Sequence, residues 1–258
     1  MRRVLVIGGA GTFGARVVRL LASSADCRVI VAGRDPSRAT ALVKELGQDG
    51  VDFQRFDRLG DVGAQLGAIK PWLVIDAAGP FQHDDAALYA VPKACIALGI
   101  HYIDLADSRR FVAEIERLNE AARQAQVTVI SGASSVPALT MAIVAEVTKE
   151  LDTVDAVDIA LSASNRATAG PNVTQAILSY VGKPIRFLKG GAWRRGHGWQ
   201  ELTRKSFEVA GRAPIRHRWV GLCDVPDLDL LPHRYPTLSN VTFRAGAELG
   251  VQNVALWL

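Results

Sequence analysis

The chain has 258 residues, of which 49% are hydrophobic, and a formal net charge of +4. This length can bury a full hydrophobic core and is enough for two modest domains. No apolar run reaches the roughly twenty residues that cross a bilayer, and the three scattered cysteines match no metal-ligand spacing. We therefore expect a cytoplasmic protein with free thiols and with no membrane or metal partner.

The first predicted elements are an apolar strand, a glycine-rich turn, a helix and a second apolar strand, all within the first 35 residues. Glycines at such a turn permit tight backbone conformations and let the helix lie close to the strand. The start of the helix carries free N–H groups and a partial positive charge, which suit a pyrophosphate. The pattern predicts a dinucleotide site with the candidate residues Gly8, Gly9, Gly11, Thr12, Phe13 and Gly14.

The end of the second strand bears on which dinucleotide is bound. NAD sites usually place an acidic residue about twenty positions beyond the glycines, but this chain has Arg34 there and Arg38 one helical turn later. Guanidinium groups can grip a 2′-phosphate, so the sequence favours NADP. The alternative is that Arg34 ends the strand in solvent and that Asp35 binds the ribose of NAD.

Strand-like and helix-like segments continue to alternate up to Lys149. Strands are predicted over 51–57, 72–78, 101–105 and 127–131, with helices over 85–98 and 109–124. With the first two strands, they complete a Rossmann-type, doubly wound parallel sheet of the α/β class.

Ligands of such sheets bind beyond the carboxyl ends of the strands, so the residues that follow each strand are site candidates. Asp57 either accepts from an adenine amino group or caps the next helix. Ala78, Gly79 and Pro80 form either a turn beside the ribose and nicotinamide or a plain connection. Asp107 and Ser108, which precede a helix, are expected to act as N-caps.

Several of these motifs together resemble the NADP-binding domain of the saccharopine dehydrogenase family. The resemblance covers roughly residues 1–150 and is carried by the segments 8–14, 78–81, 94–104 and 131–137. It implies a Rossmann domain followed by an α+β domain with a mixed or antiparallel sheet. The namesake reductase of the family uses NADPH to reduce an imine formed from an amino acid and an aldehyde.

The second half of the chain follows a different pattern. We expect an NADP-binding domain over residues 1–137 and a smaller α+β substrate or dimerisation domain over 138–258, within a homodimer. A helix is predicted to run from 138 to 149 and another from 172 to 181. Strands are predicted at 154–161, 205–209, 215–220, 241–245 and 251–258. The apolar end of the sequence also suggests a truncated chain.

Positive charge is concentrated between Arg186 and Arg218, where the sequence has nine Lys or Arg residues and only two acidic residues, Glu201 and Glu208. These side chains suit a carboxylate-bearing substrate, although a solvated surface explains them equally simply. Interleaved aromatic residues raise the possibility of nucleic-acid binding, which we disfavour because no recognised nucleic-acid motif accompanies them.

The function expected is that of an NADP-dependent oxidoreductase acting on a C=O or C=N bond of a small anionic substrate. The alternative is a non-catalytic, NADP-binding redox sensor or scaffold. No catalytic residue can be chosen from the sequence, because Tyr89 and Lys93 match a Tyr-x-x-x-Lys pair by spacing alone. The candidate proton donors are His101, Tyr102, Asp104, His197 and His217.

Overall fold

The computed structural model describes residues 1–47, 50–82, 88–166 and 170–257. The chain forms two compact units, Met1–Ser134 and Ser135–Leu258. In the first unit the elements are β1 (Arg2–Ile7), α1 (Gly14–Ala22), β2 (Cys27–Gly33), α2 (Pro36–Leu46), β3 (Val51–Arg55), α3 (Val62–Ile69), β4 (Leu73–Asp76), α4 (Ala90–Ala97), β5 (His101–Asp104), α5 (Arg109–Glu114), α6 (Asn119–Gln124) and β6 (Val129–Ile130). Part of the helix predicted over 85–98 lies outside the described residues.

The sheet of the first unit is parallel throughout and has the strand order β3-β2-β1-β4-β5-β6. This order confirms the predicted Rossmann-type sheet, in which the order reverses between β1 and β4. The central strands are buried on both faces and form two hydrophobic layers, one on each side of the sheet. All carboxyl ends lie at one edge, and the glycine turn, Arg34, Arg58 and the segment after Asp76 therefore follow the strands at that edge.

The second unit contains α7 (Thr140–Thr148), β7 (Ala156–Ser162), α8 (Pro171–Leu178), β8 (Pro184–Lys189), β9 (Ala192–His197), β10 (Thr203–Phe207), β11 (Ile215–Leu222), α9 (Asp227–Arg234), β12 (Asn240–Gly246) and α10 (Gly250–Trp257). Its sheet has the order β10-β11-β12-β8-β9, and β7 pairs with β12 in parallel while the other pairs are antiparallel. The mixed or antiparallel sheet that we expected in the second domain is thus confirmed.

The sequence prediction is wrong at the end of the chain, where the residues expected to form a strand form α10 instead. The Asn253 side chain fixes the start of this helix: it accepts from the Ala247 N–H and donates to the Ala247 and Leu249 carbonyls. A short apolar run has no period that distinguishes a strand from a helix. The hydrogen bonds of the buried Asn253 side chain therefore favour the helix, and they form only when the unit is folded.

The hairpin of β8 and β9 is a further element that was not predicted from the sequence. Its turn is Gly190-Gly191, and both glycines have positive φ values of 61° and 71°. A Gly-Gly pair between two extended runs is a signature of a two-residue hairpin turn, and this signal could have found the two strands.

Candidate functional site

The glycine turn packs tightly between β1 and α1. Gly8 has a φ of 71°, and its carbonyl accepts a 2.8 Å hydrogen bond from the Gly11 N–H. A Cβ placed on Gly14 would lie 2.1 Å from the same Gly8 carbonyl oxygen, and a Cβ on Gly9 would lie 2.8 Å from the Val6 carbonyl. The turn can therefore take this shape only with glycine at these positions.

The start of α1 presents unpaired backbone donors. Hydrogen bonds within the turn use the N–H groups of Gly9 and Gly11. Within the described ranges, the N–H groups of Ala10, Thr12, Phe13 and Gly14 have no hydrogen-bond acceptor. Phe13 precedes the helix and makes no side-chain cap that would cover these donors. Free N–H groups at a helix start fit the pyrophosphate of a dinucleotide.

Arg34 is the first residue after β2 and is exposed to solvent, as is Arg38 one turn into the next helix. Among the described residues, no hydrogen bond or ion pair engages the Arg34 guanidinium. Asp35 is the N-cap of α2, where its carboxylate accepts from the Ser37 N–H at 3.0 Å and from the Ser37 hydroxyl. These hydrogen bonds lower the pKa of Asp35, so the carboxylate is engaged locally while Arg34 is available to an anion.

The segment after β4 lies against the glycine turn. The Ala77 N–H donates to the Ile7 carbonyl at 2.9 Å, and a Cβ on Gly8 would lie 2.9 Å from the Ala78 Cα. The side chain of Arg58, which follows β3, reaches this segment and donates to the Ala78 carbonyl at 2.6 Å. Gly79 and Pro80 come next, so the predicted cofactor-side segment and the glycine turn are neighbours in the fold.

Two carboxylates end adjacent strands beneath this segment. Asp76 and Asp104 are fully buried and lie opposite each other in the register of β4 and β5. Burial raises the pKa of Asp76, although the Arg58 guanidinium at 3.3 Å opposes this shift. Burial also raises the pKa of Asp104 to about 6, against hydrogen bonds from the Gly132 and Ala106 N–H groups. Burial therefore shifts the pKa of both carboxyl groups upward, and perturbed carboxyl groups at the edge where ligands bind are a candidate functional feature.

Arg58 and Asp76 are not among the site residues predicted from the sequence. Their positions contained a usable signal, since Arg58 follows β3 and Asp76 is the last residue of β4, at the edge where ligands bind. What the sequence could not show is that the two side chains meet.

The remaining candidates at this edge have mainly local partners. Asp57 does not cap α3, because Asp61 is the N-cap there, and the Asp57 carboxylate accepts from the Leu59 N–H at 3.0 Å. Ser108 caps α5 as predicted, and Asp107 accepts instead from the Gln82 amide at 2.9 Å.

The candidate proton donors are distributed over both units. His101 lies at the opposite end of β5, where its Nδ1 accepts from the Thr128 N–H at 3.0 Å, which is a structural role. Tyr102 is buried beside the carboxylates, and burial and the charge of Asp76 raise its pKa well above the ordinary value. His197 and His217 belong to strands of the second unit. Within the described part of the chain, no cluster of His, Cys, Asp or Glu could hold a metal ion.

The positive charges of the second unit are partly neutralised. Lys205 pairs with Asp158, Arg218 pairs with Glu248 at 3.3 Å, and Arg186 lies 3.8 Å from Asp229. Arg194 and Arg195, by contrast, are exposed on the edge strand β9 without an ion pair among the described residues. No helix in the described ranges is long and apolar enough to cross a membrane.

Comparison with known proteins gives one sequence family. Residues 4–130 match the family model described as the saccharopine dehydrogenase NADP binding domain. The match covers the glycine turn, both arginines after β2 and the segment after β4. No curated protein matches the sequence.

Among solved structures, the chain is similar to apo saccharopine dehydrogenase (L-Glu forming) from Saccharomyces cerevisiae, with a TM-score of 0.71 and 16% identity. The similarity covers 95% of this chain and 55% of the yeast chain, so this chain spans about half the length of that relative. At this identity the likeness establishes the fold.

Two other structures resemble parts of the chain. FolM alternative dihydrofolate reductase 1 from Brucella canis, complexed with NADP, has 17% identity and a TM-score of 0.42 over 50% of this chain and 71% of its own. UDP-glucuronic acid 4-epimerase from Bacillus cereus, in complex with NAD, has 16% identity and a TM-score of 0.39 over 50% of this chain and 55% of its own. Both TM-scores are too low to bear on function.

Proposed function

Because residues 4–130 form a saccharopine dehydrogenase-type NADP-binding domain, we propose that the protein is an NADP-dependent oxidoreductase. The reaction that we propose is hydride transfer to or from a carbonyl or imine carbon of a small, carboxylate-bearing substrate. The observation that carries the proposal is the set of N–H groups at the start of α1, together with the Arg34 guanidinium beyond β2, none of which has a partner among the described residues. A domain with free donors for a pyrophosphate and a free cation for a 2′-phosphate is suited to NADP.

Each candidate residue has a role in this proposal. The N–H groups of Ala10, Thr12, Phe13 and Gly14 hold the pyrophosphate, and Gly8, Gly9 and Gly11 shape the turn that presents them. Arg34 and Arg38 hold the 2′-phosphate, Asp57 accepts from the adenine, and the segment 78–80 borders the ribose and nicotinamide. The bound cofactor supplies or accepts the hydride, and the protein binds and orients it.

The class of substrate follows from the charges of the second unit. Arg194 and Arg195 are exposed and are not neutralised by an ion pair within the described part of the chain. A guanidinium binds a carboxylate through two parallel hydrogen bonds, which gives both attraction and orientation. We therefore assign small oxo acids, or the imines that they form with amines, as the substrates to test first.

The partner that we propose is a second copy of the chain. Leu139, Ile143, Val147 and Leu151 follow one another at intervals of four residues along α7 and its flanks, and each is more than half exposed. An apolar stripe of this kind is typical of a surface that another protein covers. Light scattering of the protein and of an Ile143→Glu variant tests this, with a dimer expected for the former and a monomer for the latter.

Two measurements test the proposed function. Fluorescence titration is expected to show tighter binding of NADPH than of NADH, and equal or tighter NADH binding would overturn the cofactor assignment. NADPH consumption is then followed with small oxo acids, with and without amines. Turnover above the rate measured without the protein supports the oxidoreductase, whereas tight binding without turnover of any of these substrates favours a redox sensor.

A further inference from the structure

The Arg58 side chain contacts three points of the segment 76–81, which begins at the last residue of β4. One guanidinium nitrogen donates to the Ala78 carbonyl at 2.6 Å, and another lies 3.3 Å from the Asp76 carboxylate. The guanidinium also lies over the Phe81 ring, 5.2 Å from its centroid. One side chain thus contacts the beginning, the middle and the end of a segment of six residues.

The far side of that segment is fixed by other contacts. Phe81 is buried and packs on Phe111 of α5 with ring centroids 5.0 Å apart. The Asp76 carboxylate also accepts from the Ala78 N–H at 3.0 Å. Ala78 is therefore held from two directions, by Arg58 through its carbonyl and by Asp76 through its N–H.

Ala78 is also the residue against which the glycine turn packs. A Cβ on Gly8 would lie 2.9 Å from the Ala78 Cα, so the two backbones approach each other closely at a point where only a glycine fits. A displacement of Ala78 would consequently change the surface against which Gly8 rests, and Gly8 begins the turn that presents the unpaired N–H groups.

We propose that Arg58 is a positioning residue of the cofactor site, which holds the segment 76–81 against the glycine turn so that both are in place before NADP binds. This inference rests on the proposed function, since it concerns the same site. The guanidinium is suited to the task because its planar fork reaches a carbonyl and a carboxylate at once. The donors of a lysine all radiate from one nitrogen on a flexible stem, so a lysine keeps the charge but lacks the spread and the planar rigidity of the fork.

The experiment compares NADPH affinity and urea stability in four variants. Arg58→Met removes the fork and keeps an apolar stem, and Arg58→Lys keeps the charge. The double variant Arg58→Met/Asp76→Asn removes the buried carboxylate that the first change leaves unpaired, while the asparagine oxygen can still accept from the Ala78 N–H. The matched control is Arg123→Met, which removes an exposed guanidinium from α6.

The expected result is that Arg58→Met raises the NADPH dissociation constant about tenfold or more, because cofactor binding must then also order the segment 76–81. Arg58→Lys should lie between wild type and Arg58→Met, and Arg123→Met should bind like wild type. The double variant should regain stability, since no buried charge is left unpaired, but it should not regain affinity, because nothing holds the Ala78 carbonyl.

Two results would overturn the inference. One is an Arg58→Met variant that binds NADPH within twofold of wild type. The other is a double variant that recovers wild-type affinity, which would show that the unpaired Asp76 charge, and not the position of the segment, weakens binding. Failure of the wild-type protein itself to bind NADPH would instead overturn the proposed function, and this role of Arg58 with it.

Discussion

Replacing Gly14 by alanine tests whether the glycine turn is as closely packed as the structure shows. The added Cβ would lie 2.1 Å from the Gly8 carbonyl oxygen and 2.8 Å from the Gly9 Cα, whereas ordinary contacts begin at 3.4 Å. The start of α1 and the Gly8 carbonyl must therefore separate by more than 1 Å. Both groups are backbone, so a side-chain rotation cannot relieve the clash.

The cost can be estimated from overpacking in other proteins, which is about 1–3 kcal/mol, and a clash between backbone groups belongs at the upper end. Alanine recovers about 0.5–1 kcal/mol because it is a better helix former than glycine. The net loss expected is about 2 kcal/mol, or a melting temperature of the first unit that is lower by roughly 4–8 °C. NADPH affinity should fall at least tenfold, since the unpaired N–H groups move with the helix.

Thermal unfolding and fluorescence titration of two further variants serve as references. Gly67→Ala lies in α3, where an added Cβ meets nothing within 4 Å, and it should stabilise the protein by about 0.5–1 kcal/mol without changing NADPH binding. Gly11→Ala, with a contact of 3.0 Å, should fall between the two. If Gly14→Ala melts and binds like Gly67→Ala, the close approach of helix and turn that we describe is wrong.

Arg34→Ala should weaken NADPH binding by about tenfold or more and change NADH binding less than twofold, because only NADPH carries the 2′-phosphate. Calorimetric titration measures both affinities, and equal losses for the two would show that Arg34 does not bind that phosphate. Asp35→Ser should keep the cap of α2, change the free energy of unfolding by less than about 0.5 kcal/mol and preserve the preference for NADPH. Asp35→Ala should lower the free energy of unfolding in urea by about 1 kcal/mol. Loss of the preference for NADPH in Asp35→Ser would instead support the NAD interpretation. Burial raises the pKa of Asp227 to about 6, so its folded form binds a proton more tightly than its unfolded form. Stability from this group is therefore greatest below about pH 4 and declines by up to about 3 kcal/mol as the pH rises through 6. Asp227→Asn should lose this part of the pH dependence in urea unfolding, and the exposed Asp152→Asn should keep it; identical pH profiles for the two variants would contradict the assignment.

The candidate site was predictable where its residues are close in sequence. The segment from Gly8 to Gly14 has its spacing set by one strand, one turn and one helix, so local backbone rules are enough to recognise it. Arg34 was predictable for a similar reason, because the length of a βαβ unit fixes where the second strand ends. The Rossmann sheet followed from alternation alone, since strands that alternate with helices are connected in parallel.

Other parts depended on contacts between distant residues. The contacts of the buried Asn253 side chain favour a helix in the apolar run at residues 250–257. The register between β4 and β5 places Asp76 opposite Asp104. Arg58 and Asp76 are 18 positions apart and carry no common motif, yet their side chains lie 3.3 Å apart.

The sequence by itself thus determined the nucleotide-binding turn, the cation that follows β2 and the class of the first sheet. Those features depend on local backbone geometry and on the period of apolar residues, and both follow from residues that are close together in the sequence. The tertiary structure alone decided which polar groups meet at the carboxyl edge of that sheet. The reason is that parallel strands are joined through helices, so neighbouring strand ends are remote in sequence and become adjacent only when the sheet assembles.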